Sequence, residues 1–204
     1  MEQSPHVMLM GEGAEAFSRA QALEQVEPGY FFTERRWRQL EENLRANGLP
    51  VPPRPVGVPS PQALNESHPD DHQFGTVGVV ARDVRGDLAA GTSTGGTTGK
   101  RWGRVGDAPV IGAGTYAQNG VCAVSATGTG EYFIRIGVAR DICARMEFQG
   151  LSAQAAADAV MAEVGATTNA AGAAGDGGVI VLDGRGGVAW AMNTPGMYRA
   201  SHAA

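Results

Sequence analysis

Lysine is nearly missing from this chain. Lys100 is the only one among sixteen basic residues, and arginine supplies the rest. Positive charge is in deficit overall, with a net charge of -5 at pH 7. Binding nucleic acid or an anionic membrane needs basic patches, so neither is expected as a partner. Long apolar runs are also absent: none approaches the roughly 20 residues of a membrane-spanning helix. The first residues carry no basic-then-apolar signal segment. Cysteine is scarce, with only Cys122 and Cys143. Two cysteines make neither a disulfide framework nor a metal-binding spacing, so both are expected to be small buried thiols. These shortages together predict a soluble, cytoplasmic protein whose 204 residues form one domain. The one excess is glycine, 30 of 204 residues, about twice ordinary usage. Glycine clusters among apolar segments, which predicts tight turns and close backbone approaches rather than low complexity.

The pattern of elements is mixed. His6-Val7-Met8-Leu9-Met10 reads as a short buried strand, followed by a helix near Ala14 to Gln21. Thr33 reads as the N-cap of a helix running to about Ala46, stopped by Asn47-Gly48 and Pro50. From Pro50 to Asp71 the composition turns to Pro, Ser, Asn, His and Asp, which predicts a linker. His68, Asp70, Asp71 and His72 lie in it, but with no other ligands at fixed offsets they read as solvated residues and not as a metal site. After Thr76 two strands, Val77 to Asp83 and Leu88 to Thr92, are joined by an Asp83-Val84-Arg85-Gly86-Asp87 turn. Further strands are expected at Pro109 to Gly114 and Val121 to Ser125. One amphipathic helix is expected over Glu131 to Glu147, and a Ser152-capped helix over Ala153 to Val164. A hairpin of Val179 to Leu182 and Val188 to Met192 closes the chain. Hairpins followed by helices indicate an α+β fold.

Two nucleotide-binding patterns fail on inspection. Gly112-Ala113-Gly114-Thr115-Tyr116-Ala117 has dinucleotide spacing, but Gln118-Asn119-Gly120 breaks the helix that would receive the phosphates. Gly99-Lys100 lacks a glycine five positions earlier, and Arg101 stands where Ser or Thr should follow.

Four features can carry chemistry. Thr76 follows Gly75 at the head of an apolar run. A threonine becomes a nucleophile when a base lies beside it, and cutting the chain before it would make its own α-amine that base. The bland alternative is a threonine that merely starts a strand. Gly91-Thr92-Ser93-Thr94-Gly95-Gly96 can bring a hydroxyl to Thr76 across the hairpin, or can be an ordinary turn. Arg104 and Asp107, bracketed by Gly103 and Gly106, can pair with each other or hold the two ends of a zwitterion. Ser125-Ala126-Thr127-Gly128-Thr129-Gly130-Glu131 ends a strand and opens a helix, a natural place for an oxyanion hole.

In this order and spacing the segments resemble the plant-type asparaginase/isoaspartyl peptidase family of N-terminal-nucleophile hydrolases. The resemblance rests on Phe74-Gly75-Thr76-Val77-Gly78, Thr92-Ser93-Thr94-Gly95-Gly96, Gly103-Arg104-Val105-Gly106-Asp107 and Thr127-Gly128-Thr129-Gly130-Glu131. It extends back to Ser4-Pro5-His6 and forward to Asn193-Thr194-Pro195-Gly196-Met197-Tyr198-Arg199. It implies self-cleavage between Gly75 and Thr76, with Thr76 then acting as nucleophile and Thr94 orienting it. It further implies that Arg104 binds a substrate α-carboxylate and Asp107, helped by the Gly130 carbonyl, its α-ammonium. Thr127 and Gly128 would stabilise the oxyanion. The implied substrates are L-asparagine and β-aspartyl dipeptides, and the implied assembly is a dimer of cleaved αβ units.

The resemblance also implies a division of the chain: residues 1–49 as the end of the α-subunit region, 50–75 as the linker, and 76–204 as the catalytic β-subunit region. The family's fold is a four-layer αββα sandwich. Met1 aligns with an internal position of that family, so the sandwich is expected to be incomplete on its N-terminal side. An apolar strand ending in a His-Gly-Gly-Ala-Gly type segment and a sodium-binding loop would precede this point, so no cofactor or metal is expected here. The alternative expectation is an inactive or partner-dependent fragment of such an enzyme.

Overall fold

The computed structural model describes residues 3–58 and 75–203. The chain divides into two compact units, Met1–Pro69 and Asp70–Ala204. His68, Asp70, Asp71, His72 and Phe74 lie outside the described residues, as does most of the expected linker.

In the first unit, α1 (Gly11–Ala20) and α2 (Glu34–Ala46) flank a short 3-10 turn, Pro28–Phe31. Thr33 caps α2 by accepting from Arg36 N, as its sequence position predicts. Trp37 is the buried anchor of the unit, and Arg54 lies over both its ring and that of Phe32. The same guanidinium makes a two-pronged pair with Glu34 at 2.9 Å on each arm. Residues 51–58, expected as solvated linker, are irregular and tied to α2 through Arg54. The expected strand at 6–10 is not formed: Val7, Met8, Leu9 and Met10 are exposed and irregular. A strand needs a neighbour for its N–H and C=O groups, and none pairs with this run among the described residues.

The second unit is α+β, as expected. β1 (Thr76–Arg82) and β2 (Leu88–Thr94) form an antiparallel hairpin. β3 (Thr115–Gln118), β4 (Cys122–Gly128), β5 (Gly177–Asp183) and β6 (Val188–Met192) form an antiparallel sheet in that order. Three helices follow β4 in the chain or pack on its sheet: α3 (Gly130–Ile136), α4 (Val138–Gln149) and α5 (Ala153–Ala166). The four-stranded sheet lies between the hairpin on one face and α4 and α5 on the other. Side chains alternate along β4 accordingly. Cys122, Val124 and Ala126 join Phe133, Ile142 and Val160 in the apolar core under the helices.

Three expectations are corrected here. The single helix over 131–147 is two helices, because Gly137 adopts φ +72°, a left-handed conformation that ends α3 and starts α4. The strand at Pro109–Gly114 is instead a series of turns, with Val110 N on Asp107 O and Ala113 N on Val110 O; the strand begins at Thr115. The two cysteines are not free thiols. Cys122 on β4 and Cys143 on α4 form a fully buried disulfide with Cα atoms 5.7 Å apart.

Candidate active site

The site lies where the ends of β1, β2 and β4 meet between the two β layers. The β1–β2 register places Thr76 directly opposite Thr94. Both side chains fall on the face toward the four-stranded sheet, and Thr76 Oγ1 donates to Thr94 Oγ1 at 3.2 Å. The hairpin hydroxyl that reaches Thr76 is thus that of Thr94. Thr94 Oγ1 also accepts from Gly96 N at 3.0 Å, which fixes its position at the strand end. Thr127 is at the end of β4, and its hydroxyl is buried with no hydrogen-bond partner in the protein. A cavity of about 360 Å³ opens beside Thr76 and Thr127, bounded also by Gly177, Gly178, Met197 and Arg199. Both threonines line that cavity.

Gly128 follows Thr127 and could be nothing else. Its φ is +154°, and a Cβ there would lie 2.3 Å from Asp176 O and 2.6 Å from the Phe133 ring. Thr129 is tied to the same loop through its N–H to Asp176 O and its hydroxyl to the Asp176 carboxylate. The turn from β4 into α3 is thereby held rigidly.

Arg104 and Asp107 do not pair with each other. Arg104 Nε and Nη2 donate to the two carboxylate oxygens of Glu131, at 2.8 and 2.7 Å. Those hydrogen bonds hold Glu131 below its ordinary pKa and raise that of Arg104. One guanidinium edge is taken, and the Nη1/Nη2 edge remains for a second carboxylate. Asp107 is buried, and its Oδ2 has no partner in the protein. Desolvation pushes its carboxyl above the ordinary value, against the pull of Arg104. Gly130 packs directly on it, since a Cβ there would be 2.6 Å from Asp107 Oδ1.

Three polar atoms thus stand ready without protein partners or with a free edge: a buried carboxylate oxygen, a guanidinium edge and a buried hydroxyl. By chemical type a carboxylate and a guanidinium suit the two ends of a zwitterion and a free hydroxyl suits an oxyanion, although Arg104 and Asp107 do not line the cavity beside Thr76 and Thr127. Gly75 is exposed immediately before Thr76. The sequence reading missed Glu131 as the partner of Arg104, because 27 residues separate them and only the fold joins them. Met197 and Arg199 line the cavity, and nothing local in the 193–199 segment signals that position. Among the described residues no cluster of His, Cys, Asp and Glu could hold a metal ion.

Comparison with known proteins gives a match to the family described as asparaginase over residues 1–204. The chain is 48% identical over 200 residues to an isoaspartyl peptidase of Escherichia coli K12, covering 98% of this chain and 58% of that protein. It is 42% identical over 216 residues to a putative isoaspartyl peptidase/L-asparaginase of Dictyostelium discoideum, covering 98% and 60%. It is 39% identical over 204 residues to a plant-type L-asparaginase of Pyrococcus abyssi, covering 98% and 61%. The chain thus spans about three-fifths of the length of the curated relatives it matches.

Proposed function

Because the chain belongs to the asparaginase family, we propose that it carries the catalytic machinery of an isoaspartyl peptidase/L-asparaginase that works through Thr76. The observation that carries this reading is the Thr76–Thr94 hydroxyl contact at 3.2 Å, beside the unpartnered hydroxyl of Thr127.

In the first step Thr76 Oγ attacks the Gly75 carbonyl carbon, and the amide becomes an ester as the Thr76 nitrogen leaves. Water then hydrolyses the ester, releasing a Gly75 carboxylate and a free Thr76 α-amine. That amine, with an ordinary pKa of about 7.7–8.0, is the general base for the adjacent hydroxyl. Thr94 orients Oγ toward the substrate. Arg104 binds the substrate α-carboxylate through its Nη1/Nη2 edge, while Glu131 holds the guanidinium in place. Asp107 binds the α-ammonium with the Gly130 carbonyl.

Attack on the side-chain amide carbon drives its oxygen toward the Thr127 hydroxyl and the Gly128 N–H. The leaving nitrogen departs as ammonia from asparagine, or as the amine of the next residue from a β-aspartyl peptide. Water then frees aspartate from the Thr76 ester. Nucleophile, base and oxyanion donors are all protein atoms, so the reaction as written calls for no cofactor.

The reading extends to architecture. Residues 1–49 would belong to the α-subunit region, 50–75 to the linker and 76–204 to the β-subunit region of an αββα sandwich, assembled as a dimer of αβ units. No helix among the described residues is long and apolar enough to cross a membrane, and the reading places the protein in the cytoplasm. A buried disulfide such as Cys122–Cys143 is uncommon in that reducing compartment, so its redox state in cells tests the location.

Gel analysis and N-terminal sequencing test the mechanism directly. Two fragments are expected, the second beginning Thr76-Val77-Gly78. Thr76→Ala should give one uncut chain that releases no ammonia from L-asparagine. Turnover retained in that variant would overturn the mechanism.

A further inference from the structure

Behind each threonine of the site, two residues along the same strand and therefore on the same face, stands a second small residue. Gly78 lies behind Thr76 on β1, Thr92 behind Thr94 on β2, and Ser125 behind Thr127 on β4. None of the three belongs to the mechanism above.

Their contacts form one partly buried polar seam. Thr92 Oγ1 donates to Gly114 O at 3.1 Å. It also lies 2.6 Å from Ser125 Oγ, and it accepts from the Thr115 hydroxyl. A hydroxyl has one proton and two lone pairs. With the Thr92 proton on Gly114 O, the Ser125 proton must point to Thr92, which then has every valence used. The seam so joins the hairpin, through Thr92, to the four-stranded sheet, through Thr115 and Ser125. Its acceptor end reaches the Asp107 loop, because Gly114 N donates to Asp107 O; Thr115 Oγ1 also lies 3.2 Å from Ala108 O, but its one proton is given to Thr92. Ser125 is only 3% exposed, which shields its end of the seam from water. Gly78 supplies the room: a Cβ there would lie 2.1 Å from Ser125 Oγ.

We propose that Thr92 and Ser125, with Thr115 completing the chain, are positioning residues for the reaction. Their hydrogen bonds set the gap between the two β layers, and with it the placement of the Thr76–Thr94 pair against Thr127. An apolar contact of equal area would bind the layers without fixing one spacing, because dispersion and burial are non-directional whereas a saturated hydroxyl hub accepts one geometry. The proposal rests on the reading that Thr76 is the nucleophile.

The test compares Thr92→Val, Thr92→Ser and Ser125→Ala with Val124→Ala, the neighbour of Ser125 that faces the helices instead. For each, melting temperature, kcat and KM for a β-aspartyl dipeptide are measured, with kcat counted per cleaved molecule so that slow maturation does not mimic slow turnover. Thr92→Val should lower kcat by about 100-fold, the effect of a displacement of about 1 Å. KM should stay within about threefold, since binding groups outside the seam are untouched. Thr92→Ser, which keeps the hub, should restore kcat to within about threefold of the parent. Ser125→Ala should fall between, and it carries the test alone if Thr92→Val does not fold. Val124→Ala should melt earlier with kcat unchanged.

If kcat in Thr92→Val and Ser125→Ala stays at the parental value, or falls only as far as in Val124→Ala at equal loss of melting temperature, the seam is merely structural and the proposal is overturned. A parent protein no more active than Thr76→Ala marks failure of the nucleophile reading itself. An active parent with indifferent seam variants marks failure of the seam alone.

Discussion

The two faces of β4 differ in what their side chains do. Toward the helices Cys122, Val124 and Ala126 are buried in a continuous apolar core. Toward the hairpin the alternate residues end in Ser125 and Thr127, whose hydroxyls are buried as well. The first face holds the unit together by removing apolar surface from water. The second face gives up part of that stabilisation, since a buried hydroxyl without a partner costs about 1–3 kcal/mol. The difference teaches that one strand is both scaffold and site, with the alternation of a β-strand keeping the two tasks apart. Substitutions should therefore separate cleanly into those that change stability and those that change turnover.

Among substitutions on β4, Thr127→Val is expected to have the largest effect on turnover and to make the hairpin-facing side resemble the other. The side chain keeps its shape and loses its hydroxyl, which has no protein partner to miss it. Removing one oxyanion donor should lower kcat by about 10²–10³-fold, while the melting temperature stays level or rises. Steady-state kinetics beside calorimetry checks both halves. A large loss of stability would show that Thr127 serves the scaffold after all.

Asp107→Asn comes next. Loss of one charge-assisted contact to a substrate ammonium should lower kcat/KM by about 10- to 100-fold. The pH dependence sharpens the contrast. Burial raises the folded-state pKa of Asp107 above its ordinary value. The stability it contributes is therefore fully present below the ordinary carboxylate pKa and is lost as pH rises through the raised one. The melting temperature of Asp107→Asn relative to the parent should thus increase with pH over that window. Over the same range the parent's kcat/KM should rise with pH as the carboxylate ionises to meet the ammonium. A melting difference that does not vary with pH would remove the electrostatic account of this buried acid.

How much of this could be read before the fold was known depends on whether the cause is local. The two long hairpins are legible because their turns are made by their own residues. Asp83 Oδ1 accepts from the N–H groups of Arg85 and Asp87, and Asp183 Oδ1 repeats this with Arg185 and Gly187. The helix over 34–46 carries its cap in sequence. The errors fall where the cause is distant. Residues 6–10 look like a strand because apolar pattern says nothing of whether a neighbour exists to pair with. Residues 109–114 look like one because Asp107 O, which draws Val110 and Gly114 into turns, is not visible as an acceptor. The Cys122–Cys143 pairing needs α4 to lie on β4, and the Arg104–Glu131 pairing needs α3 to begin beside the Arg104 loop. Within the site, the Thr76–Thr94 contact follows from hairpin register alone. The seam of Thr92, Thr115 and Ser125 spans three strands and could not be seen without it.

Val124→Ala should have the smallest effect on turnover and isolates the scaffold side of the comparison. Val124 is fully buried beneath the helices, one residue from Ser125 and three from Thr127. Truncation to alanine removes two buried carbons, about 1.6 kcal/mol at ~0.8 kcal/mol each, with a further loss for the space left behind. For a chain of this size that lowers the melting temperature by about 4–8 °C. The side chain points away from the hairpin, so the layer spacing and the placement of Thr127 should not change, and kcat should match the parent below the transition. If kcat instead falls in step with stability, the two faces of β4 are mechanically coupled. The strand would then act as one body, and the separation of scaffold from site would hold for chemistry only.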